Sequence, residues 1–170
     1  MKENIILVGF MGVGKGTISR ALVKKLDVVA LDTDDIVESM ENRTVKKIFK
    51  KEGEPYFRAL EEKISRWITA SVSGTIISTG GGFIVHVSDP KAMGKVVYLK
   101  NSYEGILKRI MESPNAKNKL AKRPLLQDKK RAKKLFDERN PRYEALADIV
   151  IDVAGKSPEA VAEEIIQALA

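Results

Sequence analysis

Gly9-Phe10-Met11-Gly12-Val13-Gly14-Lys15-Gly16-Thr17 is the stretch on which the fold turns. It follows the apolar run Ile5-Ile6-Leu7-Val8, which reads as a buried strand. It precedes Thr17 to Leu26, where Ile18, Leu22 and Leu26 recur at the spacing of one helix face. A glycine-rich turn between a strand and a helix is the setting of a phosphate-binding loop. Glycines let the backbone turn tightly and aim its N–H groups at one anion. The helix N-terminus adds partial positive charge and Lys15 a full one. The pattern marks Gly12, Val13, Gly14, Lys15, Gly16 and Thr17 as nucleotide contacts.

One position departs from the usual loop. A Ser or Thr normally follows the lysine and offers its hydroxyl to Mg2+, whereas here Gly16 follows and Thr17 comes one step later. The Gly-Lys-Gly-Thr form resembles the loop of adenylate kinases. Metal ligation would then rely on phosphate oxygens, water and an acid such as Asp32. Thr17 is left as either a phosphate or a metal contact.

Outward from the loop, apolar runs alternate with amphipathic stretches. Val28 to Leu31, Thr75 to Thr79, Val96 to Leu99 and Ile149 to Ile151 read as four further strands. Pro55 suits the first turn of a helix with Leu60, Ile64, Trp67 and Ile68 on its inner side. Ser102 to Met111 and about Asp128 to Ala147 read as helices, with Pro141 expected to kink or break the second. Ser157-Pro158-Glu159 opens a last helix with Val161, Ile165 and Leu169 facing in. Ser113 to Lys122 is polar, lysine-rich and without a period, so a mobile loop is expected. Solid apolar strands alternating with helices predict an α/β fold, a three-layer doubly wound sandwich on a five-stranded parallel sheet. Ligands in such folds bind at the carboxyl ends of the strands, where the glycine turn, Asp32, Asp34 and Gly80-Gly81-Gly82 all fall.

The bulk numbers set limits. The 170 residues suit one domain, 1–170, with 44% hydrophobic and 31% charged residues. There is no cysteine, which excludes disulfides, thiolate metal sites and a cysteine nucleophile. No transmembrane-length apolar segment or secretory leader is visible, so a soluble, cytoplasmic protein without membrane partners is expected. The formal charge is +7, and nine Lys or Arg against Asp128 alone lie between Lys117 and Lys134. Such a run is read first as a solvated face or loop.

Several side chains carry candidate chemistry. On an extended segment the carboxylates of Asp32 and Asp34, at i and i+2, would point the same way. One would position a magnesium water and the other would take a proton from an attacking hydroxyl, although either could equally cap the following helix. Gly80, Gly81 and Gly82 permit close approach of a ligand, or simply a flexible turn. Arg58 has Glu61 and Glu62 at i+3 and i+4, the pattern of a surface ion pair and also of a carboxylate fixing an anion-binding arginine. Arg123, in Arg123-Pro124-Leu125-Leu126, would come down with a lid onto a transferring phosphoryl group. His86 has no partner histidine and reads as a surface or packing residue.

Together these motifs resemble the shikimate kinase family, which shares its fold with nucleoside monophosphate kinases. The residues that carry the likeness are Gly9 to Thr17, Asp32-Thr33-Asp34, Phe57-Arg58 with Glu61, Gly80 to Gly82, Arg123-Pro124-Leu125-Leu126, and Arg139 with Pro141 and Tyr143. The resemblance implies a nucleoside-triphosphate-binding P-loop fold with a mobile lid over about 112–126 and an acceptor segment over about 33–61. It implies phosphorylation of the 3-hydroxyl of shikimate by ATP with Mg2+, by a monomer. Asp34, Arg58, the Gly80–Gly82 turn and Arg139 would hold shikimate, Arg58 and Arg139 by its carboxylate and Asp34 by its hydroxyls. Lys15 and Arg123 would stabilise the γ-phosphoryl, and Asp32 would help hold Mg2+. Arg109 would pack on adenine, with Lys156 nearby.

Three other readings stay open at this level. A gluconate or nucleoside monophosphate kinase would share the loop. A nucleic-acid binder would use Lys117 to Lys134, though that run lacks interleaved aromatics and no nucleic-acid partner is expected. A nucleotide-binding regulator would bind ATP without turnover.

Overall fold

Ile5–Val8 forms strand β1, and every one of its side chains is buried. The computed structural model of the chain describes residues 2–170. After β1 come α1 (Lys15–Leu26), β2 (Ala30–Asp32), α2 (Thr33–Glu41), α3 (Val45–Glu52), α4 (Glu54–Ser71), β3 (Ile76–Ser78), α5 (Phe83–His86) and β4 (Lys95–Lys100). The chain continues through α6 (Tyr103–Met111), α7 (Ala116–Ala121), α8 (Pro124–Gln127), α9 (Lys129–Leu146), β5 (Ile149–Asp152) and α10 (Pro158–Leu169). The five strands form one parallel sheet in the order β2-β3-β1-β4-β5. α1 and α10 pack together over one face, and α4, α5 and α9 cover the other. Burial on both faces explains why the central strands β3, β1 and β4 read as apolar runs, whereas the edge strands β2 and β5 are partly exposed, Val150 at 45%. No helix among the described residues is long and apolar enough to cross a membrane.

The chain leaves β1 toward β3 and β2, and leaves β4 toward β5. The connections thus diverge beside β1, and a crevice opens at the carboxyl ends of the strands there. That topology, more than any single helix, places the site.

Four expectations are corrected. α9 runs unbroken from Lys129 to Leu146 with Pro141 inside it. The missing N–H costs about 3 kcal/mol, and anchorage on either side of it offsets that. Tyr143 and Phe136 are buried, and Asn140 accepts a 2.9 Å hydrogen bond from the Tyr98 hydroxyl. The segment expected as a periodless loop contains α7, held between α6 and α8. Trp67 does not face inward but is 46% exposed, because the buried stripe of α4 is Phe57, Glu61, Ile64, Ser65 and Ile68. Asp34 lies in the first turn of α2 instead of on an extended segment, since Asp32 caps that helix.

Asn4 is a structural residue the sequence did not flag. Its buried amide donates to Val72 O at 2.8 Å and Met93 O at 2.9 Å, and accepts from Thr75 N at 3.1 Å. It thereby ties the start of β1 to the segments entering β3 and β4. Asn4→Ala leaves these groups without partners and is expected to cost about 2–3 kcal/mol. Urea or thermal unfolding checks this, with Tm expected to fall by roughly 5–10 °C.

Candidate active site

The loop after β1 closes on itself around Lys15. Its Nζ donates to Gly9 O at 2.6 Å and to Phe10 O at 3.2 Å. Burial pulls this ammonium down to about 8, against Asp34 and Asp32, which hold it up; Arg123 and Arg139 add to the fall. Gly14 caps α1 with φ +108, a left-handed conformation that other residues rarely adopt. A Cβ there would lie 2.8 Å from Arg109 Nη2, so the guanidinium of Arg109 rests directly on the loop.

Asp32 caps a helix, one of the roles read from the sequence, and stands at the cleft. Its Oδ1 accepts from Asp34 N at 2.9 Å and Asp35 N at 3.4 Å, which caps α2, while the residue also lines the cleft above the glycine loop. Thr33, fully buried, accepts from Gly80 N at 2.9 Å and stitches the end of β2 to the triple-glycine turn. Asp34 then projects onto that turn: a Cβ on Gly80 would sit 2.7 Å from its Oδ1. Burial raises the Asp34 carboxyl to about 6, helped by Asp32 and opposed by Lys15.

Two arginines reach the same turn from distant helices. A Cβ on Gly82 would lie 2.7 Å from Arg58 Nη2 and 2.9 Å from Arg139 Nη2. Arg58 is held by Glu61 Oε2 at 2.6 Å from Nη1, and by Glu54 Oε1 at 3.1 Å from Nε and 3.0 Å from Nη2. Glu61 is 1% exposed, its Oε1 has no hydrogen-bond partner among the described residues, and burial raises its carboxyl to about 7 against the pull of Arg58. One turn beyond Arg139, the Tyr143 hydroxyl donates to Gly81 O and locks α9 to the glycines. Arg123 caps α8, with Nη1 donating to Lys119 O at 3.1 Å. Burial lowers its guanidinium while Asp34 opposes the fall.

Two adjoining clefts result. Gly12, Gly14, Lys15, Thr17, Asp32 and Arg109 line the first, together with Lys119. Arg58, Glu61, Gly82 and Arg139 line the second, and Asp34, Gly80, Gly81 and Arg123 border both. Three of the expected contacts stand outside these walls. Val13 is buried in the core and its N–H turns back to Phe10 O at 3.2 Å. Gly16 lies in the first turn of α1 facing Arg20. The Lys156 ammonium is held 2.8 Å from Glu164 Oε2. Glu62, offered beside Glu61 as a partner of Arg58, instead accepts from Ser88 N at 2.9 Å. The sequence reading missed Glu54, which the i−4 spacing to Arg58 could have revealed, and Thr33, framed by the two aspartates.

Chemically, the first cleft joins backbone turns and cations suited to a phosphate chain, and the second offers paired guanidiniums suited to a carboxylate. The carboxylate between them is suited to accept a proton.

Comparison with known proteins fits this division. The family model described as shikimate kinase matches residues 11–170. A shikimate kinase of Caldanaerobacter subterraneus subsp. tengcongensis is 40% identical over 173 residues, covering 98% of this chain and 95% of that protein. One from Helicobacter hepaticus is 35% identical over 167 residues, covering 98% and 96%. Among solved structures, shikimate kinase from Acinetobacter baumannii in complex with shikimate matches with a TM-score of 0.84 at 32% identity, covering 98% of this chain and 92% of that one. The five-stranded parallel sheet with helices on both sides is the P-loop fold of these enzymes.

A carboxyl whose proton is held more tightly in the fold than in the unfolded chain loses stability as pH rises from about 4 to about 6. Asp34→Asn removes that penalty. The variant is expected to be more stable than the parent by about 1–2 kcal/mol near pH 7.5, with the gain absent at pH 4, as thermal unfolding at the two pH values will register.

Proposed function

The chain belongs to the shikimate kinase family, and from it we propose the transfer of the γ-phosphoryl group of ATP to the 3-hydroxyl of shikimate, giving shikimate 3-phosphate and ADP. The family consists of ATP-dependent kinases, so ATP is the co-substrate. The observation that carries the acceptor is the convergence of Arg58, Arg139 and Asp34 on the Gly80–Gly82 turn, beside the Lys15 loop. Two guanidiniums recognise a carboxylate through charge-assisted hydrogen bonds, and the aspartate recognises hydroxyls. The shikimate in the Acinetobacter baumannii structure supports the same acceptor here.

Transfer needs mainly positioning and charge stabilisation. Arg58 and Arg139 clasp the carboxylate and thereby set the acceptor hydroxyl toward the nucleotide. Asp34 accepts the proton of that hydroxyl. A carboxyl titrating at about 6 is ionised at neutral pH yet basic enough to take a proton late in the step. Lys15 and Arg123 neutralise charge on the γ-phosphoryl group as it leaves, and Arg109, lying on Gly14, packs toward the base side of the nucleotide. We assign 33–61 to acceptor binding and 112–126 to the lid, within one kinase domain over 1–170 acting as a monomer.

The donor set is compatible with Mg2+. No group of three carboxylate or histidine ligands occurs among the described residues, but Mg2+ is commonly held by one or two carboxylates with phosphate oxygens and water. Asp32 would hold it, through water or directly, with Thr17 at the cleft edge. When bound, the ion would supply positive charge to offset that of the phosphate oxygens.

In an ADP-release assay with shikimate, gluconate and AMP in parallel, only shikimate is expected to support turnover. Arg58→Ala should raise the shikimate KM roughly 10–100-fold and leave the ATP KM within about threefold; equal rises in both contradict a carboxylate contact. Asp34→Asn should lower kcat by roughly 10²–10⁴-fold while ATP still binds. The pH profile of kcat/KM should rise through about 6 as Asp34 ionises and fall through about 8 as Lys15 loses its proton.

A further inference from the structure

We propose that Lys119 is a second lid cation on the phosphate chain of the nucleotide, an assignment that rests on the glycine loop being the nucleotide site. The ordering of 116–121 as α7 gives this lysine a defined direction. It sits in the last turn of the helix and lines the same cleft as Gly12, Gly14, Lys15 and Arg109, while Lys117 on the same helix is exposed and does not. Its carbonyl accepts from Arg123 Nη1 at 3.1 Å. One residue therefore steadies the lid guanidinium through its main chain and brings an ammonium through its side chain.

Charge explains the need. Lys108 pairs with Glu112 at 3.9 Å and Lys133 with Asp137 at 2.5 Å, while Lys117 and Lys122, which have no such pair among the described residues, lie outside this cleft. Among the described residues no carboxylate lies within 4.0 Å of the Lys119 ammonium, although Asp32 and Asp34 line the same cleft. Those two carboxylates face the position of a highly anionic ligand. Lys15, Arg109, Lys119 and Arg123 outnumber them and make the cleft net positive. Gly16 stands where a hydroxyl would ordinarily help secure the metal, so less of the phosphate charge is offset from the loop side. An ammonium with three donors on a flexible stem meets phosphate oxygens without demanding one geometry.

The test is a calorimetric titration of the full chain with ADP and with a non-hydrolysable ATP analogue. Lys119→Ala should weaken both by roughly 5–20-fold. Lys119→Arg should stay within about threefold of the parent, and Lys117→Ala should bind as the parent does. In turnover, Lys119→Ala should raise the ATP KM by a similar factor and change the shikimate KM less than about twofold. A Lys119→Ala protein that titrates like the parent overturns the assignment. So does one whose two KM values rise together, since that marks α7 as a support for the whole lid. Absence of shikimate-dependent ADP release by the parent would count against the acceptor alone, because the nucleotide titration requires no acceptor.

Discussion

The ammonium of Lys15 is half-buried against the end of a strand that is itself buried on both faces, and the remaining charges of the site are arranged around it. An ion removed from water must be met by dipoles and opposite charge or it loses its proton. The carbonyls of Gly9 and Phe10 supply the dipoles. Asp34 and Asp32 supply the charge, and the effect is mutual: Lys15 restrains the rise of Asp34. Because β1 lies in the middle of the sheet, the loop cannot drift to relieve this arrangement. An anion entering the cleft would meet a cation already oriented, with little reorganisation left.

The triple-glycine turn is the second fixed point. Thr33 and Asp34 reach it from α2, Arg58 from α4, and Arg139 with Tyr143 from α9. Asp34 at Gly80 and the two arginines at Gly82 approach closer than a Cβ on the turn would allow, so these glycines act as the surface on which three helices register. The arrangement has an energetic cost. Glu61 is buried with one oxygen unpartnered among the described residues, and Asp34 is held where its ionised form is disfavoured. Neither is explained by stability, and both follow from bringing an arginine and a carboxylate to one point, as the proposed transfer requires.

Departures from the local sequence signals have a common cause. Pro141 argues against a helix, yet α9 continues because Asn140 and Tyr143 tie it to Tyr98 and Gly81. The lysine-rich segment lacks a periodic apolar face, yet α7 forms between α6 and α8, where neighbours replace the missing stripe. Trp67 has the character of a core residue, but the inner face of α4 is set by Phe57, Ile64 and Ile68, and the face carrying Trp67 turns to solvent. In each case tertiary contacts outweigh a propensity worth a few kcal/mol at most.

The sequence alone determined the parallel α/β sheet and the glycine loop, because apolar runs and tight glycine turns are local signatures, and it singled out Lys15, Asp34, Arg58, Arg123 and Arg139, which packing brings to two adjoining clefts. Side-chain direction and long-range pairing are not local. Val13 carries the loop motif but points into the core, and Lys156 pairs with Glu164 away from the cleft. Glu54 and Lys119 carry no motif of their own, and Thr33 stood only as the middle of Asp32-Thr33-Asp34; each gains its contacts only when the end of β2, α4 and α7 are brought beside the glycine turns. Which residue types were present was written in the chain; which of them meet was decided by packing, since a contact between residues dozens of positions apart exists only after the sheet has formed.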